Sequence, residues 1–567
     1  MSDDGTVTSL LPLPVSRRAV TARRLLQIHP DDTVLVALAD LMPGETVTYG
    51  STTFALVTPL PAKHKVTVKD CVAGDPIVMY GVLVGRATCA IARGAVLTTA
   101  NVRHDAAAID LTAPVARAWR APDIGPWNGR TFDGYHRADG RVGTRNLWLV
   151  LPLVFCENRN VRALQDAFER ELGYREPETH RLTVRELARR FQAGEAVTAP
   201  TTPAPLATRA ARVFPHVDGI RFLTHDGGCG GTRQDTQALC GLLAGYLVHP
   251  NVAGATVLSL GCQHAQIDIL REEIAARDAA FTKPLFTFEQ QKLGTEDALM
   301  TAAIGQTFEG LVEANRARRT AAPLSSLTVG LKCGGSDGFS GISANPAIGF
   351  TSDLLCALGG TTLLAEFPEL LGSEQDLIER CTTPALAQRF ASLMQSYNAQ
   401  AHAVGSGFEM NPSPGNIRDG LITDAMKSAG AAKKGGTSPV TAVLDYPQRA
   451  TTPGLNLLCT PGNDVECTTA QTASGANVIL FTTGLGTPTG NPVAPVLKLA
   501  TNSALARSMP DTVDIDCGAV VSGEVSLEQM GERVLGLIID TASGRHVTAA
   551  ERLGQWDFIP WKRGVSL

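Results

Sequence analysis

The sequence predicts an α/β protein in which a small N-terminal β-rich domain is followed by two α/β domains with mostly parallel sheets. Apolar runs of strand length alternate with amphipathic helix patterns from about residue 147 onward, and this alternation is typical of parallel α/β sheets. The first 108 residues contain short runs broken by turn residues instead. The chain has 567 residues, a length that suits roughly three to four domains.

Short β-rich runs separated by turns fill residues 30–102. DTVLVALADLMPGETVTYG and KHKVTVKDCVAGDPIVMYG are each interrupted by a turn that contains glycine and proline. These runs predict a small β domain over residues 1–108. The stretch rich in Pro, Trp and Gly that comes next predicts a linker over residues 109–130.

Strand–helix pairs follow the linker. LWLVLPLVF predicts a buried strand, and the helix pattern NVRALQDAFERELG comes directly after it. GIRFLTH and ATVLSLG predict two further strands, each followed by a helix. With the helix-rich stretch that ends near TAAPLSS, these pairs predict an α/β domain over residues 131–322.

The same alternation resumes in the last part of the chain. LTVGLKCGG, TTLLAEFPE and ANVILFTTG predict strands, and LEQMGERVLGLIIDTASG predicts the closing helix. We therefore expect a C-terminal α/β domain over residues 323–567.

Composition and charge exclude several classes of partner. A formal net charge of -5 and an aromatic content of 5% argue against nucleic-acid binding. The apolar run LWLVLPLVFC is about half as long as a membrane span requires, and the start MSDDGTVTSL lacks the features of a secretory signal. We expect a cytoplasmic protein without a nucleic-acid or membrane partner, with its twelve cysteines as thiols.

A glycine-rich segment, GLKCGGSDGFSGISANPAIG, covers residues 330–349 and follows a predicted strand. Loops at the carboxyl ends of parallel strands are where such sheets bind ligands. Glycine is unfavourable in helices, so the segment predicts a loop that folds closely around a small ligand. As a hypothesis, Ser336, Asp337, Ser340 and Asn345 bind the hydroxyl groups of a polyhydroxylated anion there.

Cysteines recur in glycine-rich turns that follow apolar strands. Cys229, Cys262 and Cys333 share this context, and Cys156 follows another apolar strand with less glycine around it. Thiols at the ends of neighbouring parallel strands would converge, and together with His225 they could bind iron or zinc. The alternative for each cysteine is that it is a small buried residue.

Two acidic residues, Glu366 and Glu369, come directly after an apolar strand. Carboxylates at such positions serve as general bases or as ligands of hard metal ions. Asp464 and Glu466 in TPGNDVEC form a weaker acidic candidate.

Basic residues supply candidates for binding a carboxylate. Arg141 and Arg145 lie in the glycine-containing segment GYHRADGRVGTRN, and arginine in a fixed loop suits bidentate capture of a carboxylate. Lys498 is the last residue of the segment FTTGLGTPTGNPVAPVLK. The prolines of this segment are incompatible with a dinucleotide-binding helix. The alternative for Lys498 is a lysine that faces water, and the AKKGG segment, which contains Lys434, is also expected at the surface.

Taken together, the motifs resemble those of the altronate/galactarate dehydratases. The matching text includes GYHRADGRVGTRN, HDGGCGG, CGGSDGFSGISANPAIG, NPSPGN and TPGNDVE, in order along the chain. The N-terminal β domain resembles the SAF module of this family, and AKHK is its most informative segment.

The resemblance implies that water is removed from an aldonic or aldaric acid to give a 2-keto-3-deoxy acid. It also implies a divalent metal ion, most often iron as Fe2+, with Mn2+ or Ca2+ as alternatives; the ligands expected here are Cys229, Cys262, Cys333 and His225. His64 is the first choice for the general base because imidazole has a suitable pKa. The further candidates are Lys65, Glu366 and Glu369 for catalysis, and Asn416 of NPSPGN for substrate binding.

Other functions remain open at this stage. A carbon–sulfur lyase of the sulfolactate sulfo-lyase type would use the same scaffold with a different leaving group. A non-catalytic sugar-acid binding protein is a second alternative, and the prolines near Lys498 disfavour an NAD-dependent dehydrogenase. A homodimer is the default expectation for the oligomeric state.

Overall fold

The structure is a computed structural model that describes residues 24–50, 52–175, 179–198 and 211–563. The start of the chain, where the sequence shows no secretory signal, lies outside these residues. The predicted fold class is confirmed, since a strand-rich N-terminal region precedes α/β regions with parallel sheets. In the parts of the chain that the structure describes, no helix has the length and apolar character needed to cross a bilayer.

The N-terminal region consists of small antiparallel sheets, in the orders β1–β2–β5, β3–β4 and β6–β7–β8. One of its two apolar clusters includes Met79 and Val84 together with Phe339, Ile342 and Met426 from the C-terminal region, so the two regions pack against each other. The strands are β1 (Leu25–Leu26), β2 (Val34–Ala37), β3 (Thr46–Tyr49), β4 (Thr52–Ala55), β5 (Lys65–Thr67), β6 (Pro76–Met79), β7 (Val82–Ala87) and β8 (Val102–Arg103).

The middle region contains a parallel sheet in the order β12–β11–β13–β14 and a small antiparallel sheet in the order β10–β9–β15. Every residue of β11 is buried, as expected for a central parallel strand with helices on both faces. The strands are β9 (Thr131–His136), β10 (Val142–Gly143), β11 (Leu147–Pro152), β12 (Gly219–Phe222), β13 (Val252–Ser259), β14 (Leu285–Glu289) and β15 (Thr320–Pro323). The helices are α1 (Asn158–Glu171), α2 (Thr179–Gln192), α3 (Arg233–Val248), α4 (Ile267–Arg277), α5 (Gln290–Leu293) and α6 (Glu296–Ala314).

The C-terminal region is built on a parallel sheet in the order β18–β19–β17–β16–β20–β21–β22. Its strands are β16 (Thr328–Cys333), β17 (Thr361–Leu364), β18 (Val440–Leu444), β19 (Gly454–Leu458), β20 (Val478–Thr483), β21 (Val496–Ala500) and β22 (Ile515–Asp516). Its helices are α7 (Ala344–Ala357), α8 (Glu374–Arg380), α9 (Pro384–Ala403), α10 (Pro414–Arg418), α11 (Asp424–Ala432), α12 (Asp464–Ala473), α13 (Ser503–Ser508), α14 (Gly518–Val521), α15 (Leu527–Ala542) and α16 (Ala549–Arg552).

The segment predicted as a linker runs along the C-terminal region. The backbone N–H groups of Ala116 and Arg117 donate to the carbonyl oxygens of Cys381 (2.8 Å) and Glu379 (2.9 Å) at the end of α8. The domain boundaries themselves stay a prediction.

The direction in which the C-terminal sheet grows reverses at β16. β17, β19 and β18 lie on one side of this strand, and β20, β21 and β22 lie on the other. At such a reversal the loops that leave the carboxyl ends of adjacent strands diverge and open a crevice for ligands. The glycine-rich segment leaves β16 at this crevice.

Candidate active site

Glycines allow the loop after β16 to lie close to its neighbours. A β-carbon at Gly334 would overlap the Asp464 carboxylate, and one at Gly338 would overlap the carbonyl oxygen of Lys63 in the N-terminal region. A β-carbon at Gly420, which follows α10, would overlap the same carbonyl oxygen. The glycines therefore allow the loop to approach other parts of the protein, including the N-terminal region, and close approach to a ligand stays a prediction.

Cys333, Glu366 and Glu369 form a buried group that we call the thiol–carboxylate cluster. Cys333 ends β16, and the two glutamates follow β17, its neighbour in the sheet. The Cys333 thiol lies 3.1 Å from Glu369 Oε2 and 4.0 Å from Glu366 Oε2. The backbone N–H of Cys333 donates to Glu366 Oε2 at 3.2 Å. The pairing of β16 with β17 thus brings one thiol and two carboxylates together at the carboxyl ends of these strands.

Two buried lysines contact this cluster. Lys434 Nζ lies 2.8 Å from Cys333 Sγ and 2.7 Å from Glu366 Oε2. Lys332 donates to the other Glu366 oxygen and forms an ion pair of 2.9 Å with Asp464 Oδ1. Burial lowers the pKa of Lys332, but the negative charges of Glu366 and Asp464 raise it by more. The net pKa therefore lies well above its usual value. Lys332 is therefore held as a cation.

A third lysine, Lys427, pairs with Glu369 Oε1 at 2.9 Å. Burial alone would raise the pKa of Glu369, but Lys427 and Lys434 hold it at about 2. Burial, and then the nearby Glu369 charge, raises the pKa of the Cys333 thiol to about 12. The site therefore combines the ionised Glu369 carboxylate and ammonium groups with a neutral thiol.

Glu366 has an unusual backbone conformation. Its φ of 68° and ψ of 62° lie in the left-handed region, which non-glycine residues adopt at a cost of about 1–3 kcal/mol. Its backbone N–H donates to Thr460 Oγ1 at 2.9 Å, and both of its carboxylate oxygens bind lysines. Strain of this kind collects at functional sites, which supports Glu366 as a functional residue.

The cluster has the donor set of a metal site. Within the described residues, it is the one group of three or more His, Cys, Asp or Glu side chains whose ligand atoms all lie within 4.8 Å of one another. One sulfur and two carboxylate oxygens suit a divalent transition ion such as iron or manganese. The Cys333 thiol would lose its proton on binding. These residues therefore fit the implied metal ion.

A second charged group joins the N-terminal region to the glycine-rich loop. Lys63 Nζ lies 3.1 Å from Asp337 Oδ2 and 2.6 Å from Asp419 Oδ1. The fully buried Asp337 also accepts hydrogen bonds from Thr501 Oγ1 (2.9 Å) and Asn502 Nδ2 (3.1 Å), which follow β21. Asp337 thus connects loops from two strands of the C-terminal sheet to the N-terminal region.

His64 and Lys65 follow Lys63 at this interface. His64 is half-buried, its Nδ1 lies 3.2 Å from the Ala62 carbonyl oxygen, and burial lowers its pKa. Lys65 is buried and donates to the Gly420 carbonyl oxygen at 2.7 Å. Burial lowers the pKa of Lys65 to about 7, although Asp337 raises it in part. Both side chains lie where the β domain meets the C-terminal region, and their catalytic roles stay predictions.

The polar residues of the glycine-rich loop make hydrogen bonds within the protein. Ser340 Oγ donates to Asp337 Oδ1 at 3.0 Å, and Asn345 Nδ2 donates to the Gly430 carbonyl oxygen at 3.0 Å. Asn416 Nδ2 donates to the carbonyl oxygen of Ser336 at 2.8 Å. In this structure they fix the shape of the loop, and substrate binding by Ser336, Asp337, Ser340, Asn345 and Asn416 stays a prediction.

Within the described residues, the structure does not bring the predicted metal ligands Cys229, Cys262, Cys333 and His225 together as one close group. Cys229 and Cys262 follow strands of the four-stranded sheet, whereas Cys333 ends a strand of the C-terminal sheet. His225 lies 2.8 Å from the Pro152 carbonyl oxygen through Nε2, and its Nδ1 accepts from Gly227 N at 3.1 Å. Both ring nitrogens are therefore already engaged. Strand-end position alone did not reveal that the strands belong to different sheets.

Two predicted anion-binding arginines lie away from the cluster. Arg141 pairs with Asp139 and Asp278, and Arg145 makes a bidentate pair with Glu551 at 2.8 and 2.9 Å. Both precede β11 of the middle sheet, whereas the cluster lies at the carboxyl ends of β16 and β17 in the C-terminal sheet. In this structure the two arginines form ion pairs within the protein, and binding of a substrate carboxylate stays a prediction.

We expect Arg145→Met to lower the free energy of unfolding by about 3 kcal/mol, because it leaves Glu551 buried without its partner. The folded fraction should retain an unchanged KM, since Arg145 does not reach the cluster. Denaturant unfolding and steady-state kinetics measure the two quantities. A raised KM with unchanged stability would restore the anion-binding role that the sequence suggested.

Lys498 is buried and not exposed to water. Its Nζ donates to the carbonyl oxygen of Thr487 at 2.6 Å and to Gln555 Oε1 at 3.3 Å. Burial lowers its pKa to about 8, and Asp514 raises it in part. The lysine supports the loop between β20 and β21, and a direct contact with substrate stays a prediction.

Sequence reasoning missed the lysines of the site. Lys434 was expected at the surface with its neighbour, but it is 1% exposed, and Lys332 and Lys427 were not considered as site residues. The available signal for Lys332 was its position inside an apolar strand next to Cys333. Lys434 lies beside small Ala and Gly residues, which permit close packing around its side chain.

Comparison with known proteins identifies the domains. Residues 23–105 match the altronate/galactarate dehydratase SAF domain, and residues 134–315 match the second domain of D-galactarate dehydratase/altronate hydrolase. Residues 324–566 match the C-terminal domain of D-galactarate/altronate dehydratase.

The similar proteins extend over almost the full chain. The altronate dehydratase of Escherichia coli (strain K12) is 32% identical over 96% of this chain and 99% of its own length. The altronate dehydratase of Bacillus subtilis (strain 168) is 32% identical over 96% of this chain and 100% of its own length. The galactarate dehydratase (L-threo-forming) of E. coli (strain K12) is 31% identical over 93% of this chain and 94% of its own length.

The fold, the cluster and these matches define a dehydratase-type protein built from a SAF domain and two α/β domains. The chain belongs to the altronate/galactarate dehydratase family.

Proposed function

We propose that this protein removes water from a sugar acid of the altronate or galactarate type and forms a 2-keto-3-deoxy acid. The observation that carries the proposal is the buried thiol–carboxylate cluster at the sheet reversal beside β16. The similar proteins named altronate and galactarate dehydratases support the substrate class. The twelve free cysteines suit a reducing compartment, and we place the reaction in the cytoplasm.

The reaction requires three events at neighbouring carbon atoms. A proton leaves the carbon next to the carboxylate, negative charge develops on the carboxylate oxygens, and hydroxide leaves from the next carbon. A divalent metal ion held by Cys333, Glu366 and Glu369 would supply Lewis acidity toward the carboxylate and the departing hydroxyl. The backbone N–H groups of Asp337, Gly338, Phe339 and Ser340 already donate within the protein, so oxyanion donors, each worth about 3 kcal/mol of barrier, would come from other N–H groups of the glycine-rich loop. Lys332 and Lys427 keep positive charge beside the substrate carboxylate.

The general base comes from the interface with the N-terminal region. His64 is neutral near pH 7 because burial lowers its pKa, so it can accept a proton. We expect His64→Ala to abolish turnover without changing the denaturation midpoint. Steady-state kinetics and denaturant unfolding test this, with the exposed His136→Ala as the matched control. Near-normal turnover would remove His64 from the mechanism and leave Lys65 as the candidate.

Lys65 gives the protein a specific pH dependence. Its folded-state pKa of about 7 lies below the value of about 10.4 for an unfolded lysine, so the unfolded chain binds more protons between these values. This contribution to the free energy of unfolding therefore rises as the pH increases from about 7 towards 10. Lys65→Met should lose this rise, and its stability relative to wild type should be greatest below pH 7. Denaturant unfolding at several pH values measures the effect, and parallel pH profiles would contradict it.

A panel of C5 and C6 sugar acids tests the function itself. Protein prepared with iron and a reductant should form a 2-keto-3-deoxy acid from at least one altronate- or galactarate-type substrate. Chelation should abolish product formation, and addition of Fe2+, Mn2+ or Ca2+ should show which ion restores it. Ligand binding without product would support a non-catalytic protein instead, and full activity after chelation would end the metal assignment.

The carbon–sulfur lyase alternative is not favoured. The relatives that match more than nine-tenths of this chain are named as dehydratases. Release of sulfite from a sulfonated hydroxy acid, without sugar-acid dehydration, would reverse this preference.

A further inference from the structure

Three neighbouring strands of the middle sheet each end in a loop that carries a cysteine. Cys156 follows β11, Cys229 follows β12 and Cys262 follows β13, and the sheet order β12–β11–β13 places the three strands side by side. The pairing of β11 with β13 sets Pro152 opposite Leu258. Cys156 and Cys262 each lie four residues beyond this pair, so they occupy equivalent positions at the carboxyl edge of the sheet.

Backbone hydrogen bonds connect the three loops. Phe155 N donates to the Gly227 carbonyl oxygen at 3.1 Å, and Ala265 N donates to the Gly228 carbonyl oxygen at 3.0 Å. A β-carbon at Gly228 would overlap the Leu153 carbonyl oxygen, so the loop after β12 crosses directly over the end of β11. This crossing carries Cys229 toward the other two cysteines.

The three thiols are exposed, in contrast to most cysteines of this protein. Of the twelve cysteines, only these three and Cys89 are exposed. Cysteine is among the residue types most often fully buried, and none of these three thiols makes a hydrogen bond within the described residues. Packing therefore does not explain why three cysteines lie at this edge of the sheet.

From this arrangement we propose that Cys156, Cys229 and Cys262 bind an iron–sulfur cluster, separate from the thiol–carboxylate cluster. Within the described residues, these three thiols do not all lie within 4.8 Å of one another, whereas a polynuclear cluster binds cysteines at wider separation. Helix α3 begins at Arg233, four residues after Cys229, so the loop that carries this cysteine ends in a fixed helical turn.

Three protein thiolates leave one iron of a 4Fe–4S cluster without a protein ligand. Cys229 also lines a cavity of about 490 Å³, together with Asn158, Arg162 and the segment 558–562. The cavity provides space for an oxygen ligand on that iron, and Arg162 adds positive charge for a carboxylate. A hydroxy acid is the ligand class that this site would take, and this last step rests on the proposed function.

Cluster content can be measured without any activity assay. The full-length protein is purified without oxygen and incubated with ferric iron, sulfide and a thiol reductant, and its iron and acid-labile sulfide are then determined. We expect about four of each per chain and an electron paramagnetic resonance signal after reduction. Adding a sugar acid should change that signal, and an unchanged signal would overturn the ligand assignment.

Serine variants identify the ligands. Cys156→Ser, Cys229→Ser and Cys262→Ser should each lose labile sulfide, whereas Cys89→Ser, which alters the other exposed thiol, and Cys333→Ser should retain it. Before cluster assembly, thermal unfolding of the three variants should stay close to that of the cluster-free wild type, because the substituted positions are exposed. Absence of labile sulfide from the wild type, or its retention in the three variants, would overturn the proposal. Failure to dehydrate sugar acids would leave the sulfide measurement unaffected.

Discussion

Glu366→Gln is expected to lower the free energy of unfolding by about 3–5 kcal/mol and to abolish turnover. The carboxylate is fully buried, and each of its oxygens contacts a buried lysine, Lys332 or Lys434. Glutamine has a similar shape but no charge, so two buried ammonium groups lose a counter-charge, and breaking a buried ion pair has a cost of this size. The substitution also removes one of the proposed metal ligands. Denaturant unfolding and kcat measure the two effects.

Control variants separate charge from backbone strain at Glu366. Glu366→Gly relieves the left-handed conformation, which would stabilise the protein by about 1 kcal/mol, but it removes the same charge. It should therefore be as inactive as Glu366→Gln. Glu524→Gln changes an exposed glutamate and should change neither quantity. A Glu366→Gln variant with wild-type stability would show that the lysines do not depend on this charge.

Asp337→Asn should weaken the contact between the N-terminal and C-terminal regions and reduce kcat/KM by about a hundredfold, which corresponds to about 2.7 kcal/mol. Asp337 is fully buried, pairs with Lys63 and accepts hydrogen bonds from loops after β21. Asparagine at this position lacks the negative charge that pairs with Lys63. Its amide N–H groups would also face hydrogen-bond donors that now bind carboxylate oxygens. Loosened contact should also expose the segment 104–130 to protease.

The partner residues provide the matched test. Asp419→Asn removes the more exposed carboxylate of the same lysine and should have a much smaller effect on kcat/KM. Lys63→Met combined with Asp337→Asn should be less harmful than the sum of the single changes, because the two residues share one interaction. Additive effects would show that Asp337 acts independently of the N-terminal region.

Local patterns in the sequence were sufficient to predict the fold class and several strands. LWLVLPLVF became β11 and LTVGLKCGG became β16, since continuous apolar runs have few alternatives to a buried parallel strand. Helix α7 begins earlier than its sequence pattern suggested, at Ala344, inside the glycine-rich segment. The alanine, asparagine and proline at its start are compatible with a first helical turn.

The sequence indicated site residues only where they lie at the ends of apolar strands. Cys333 ends β16, and Glu366 and Glu369 follow its partner β17, so their strand-end positions could be read from the sequence. Lys427 and Lys434 come from α11 and the turn after it, and no local pattern connects them to β16. Cys229 and Cys262 have the same kind of strand-end motif as Cys333 but follow strands of a different sheet, and the sequence pattern alone does not reveal this difference.

The carbonyl oxygen of Lys63 lies so close to Gly338 and Gly420 that a β-carbon at either position would overlap it. A chimera that takes its SAF module from another family member would therefore assemble correctly only if Gly338 and Gly420 remain glycine. Mutational scanning should record the two glycines as intolerant, even though neither carries a reactive group. Exchange of the SAF module is thus limited by the shape of the interface between the N-terminal and C-terminal regions and not by reactive groups on either side of it.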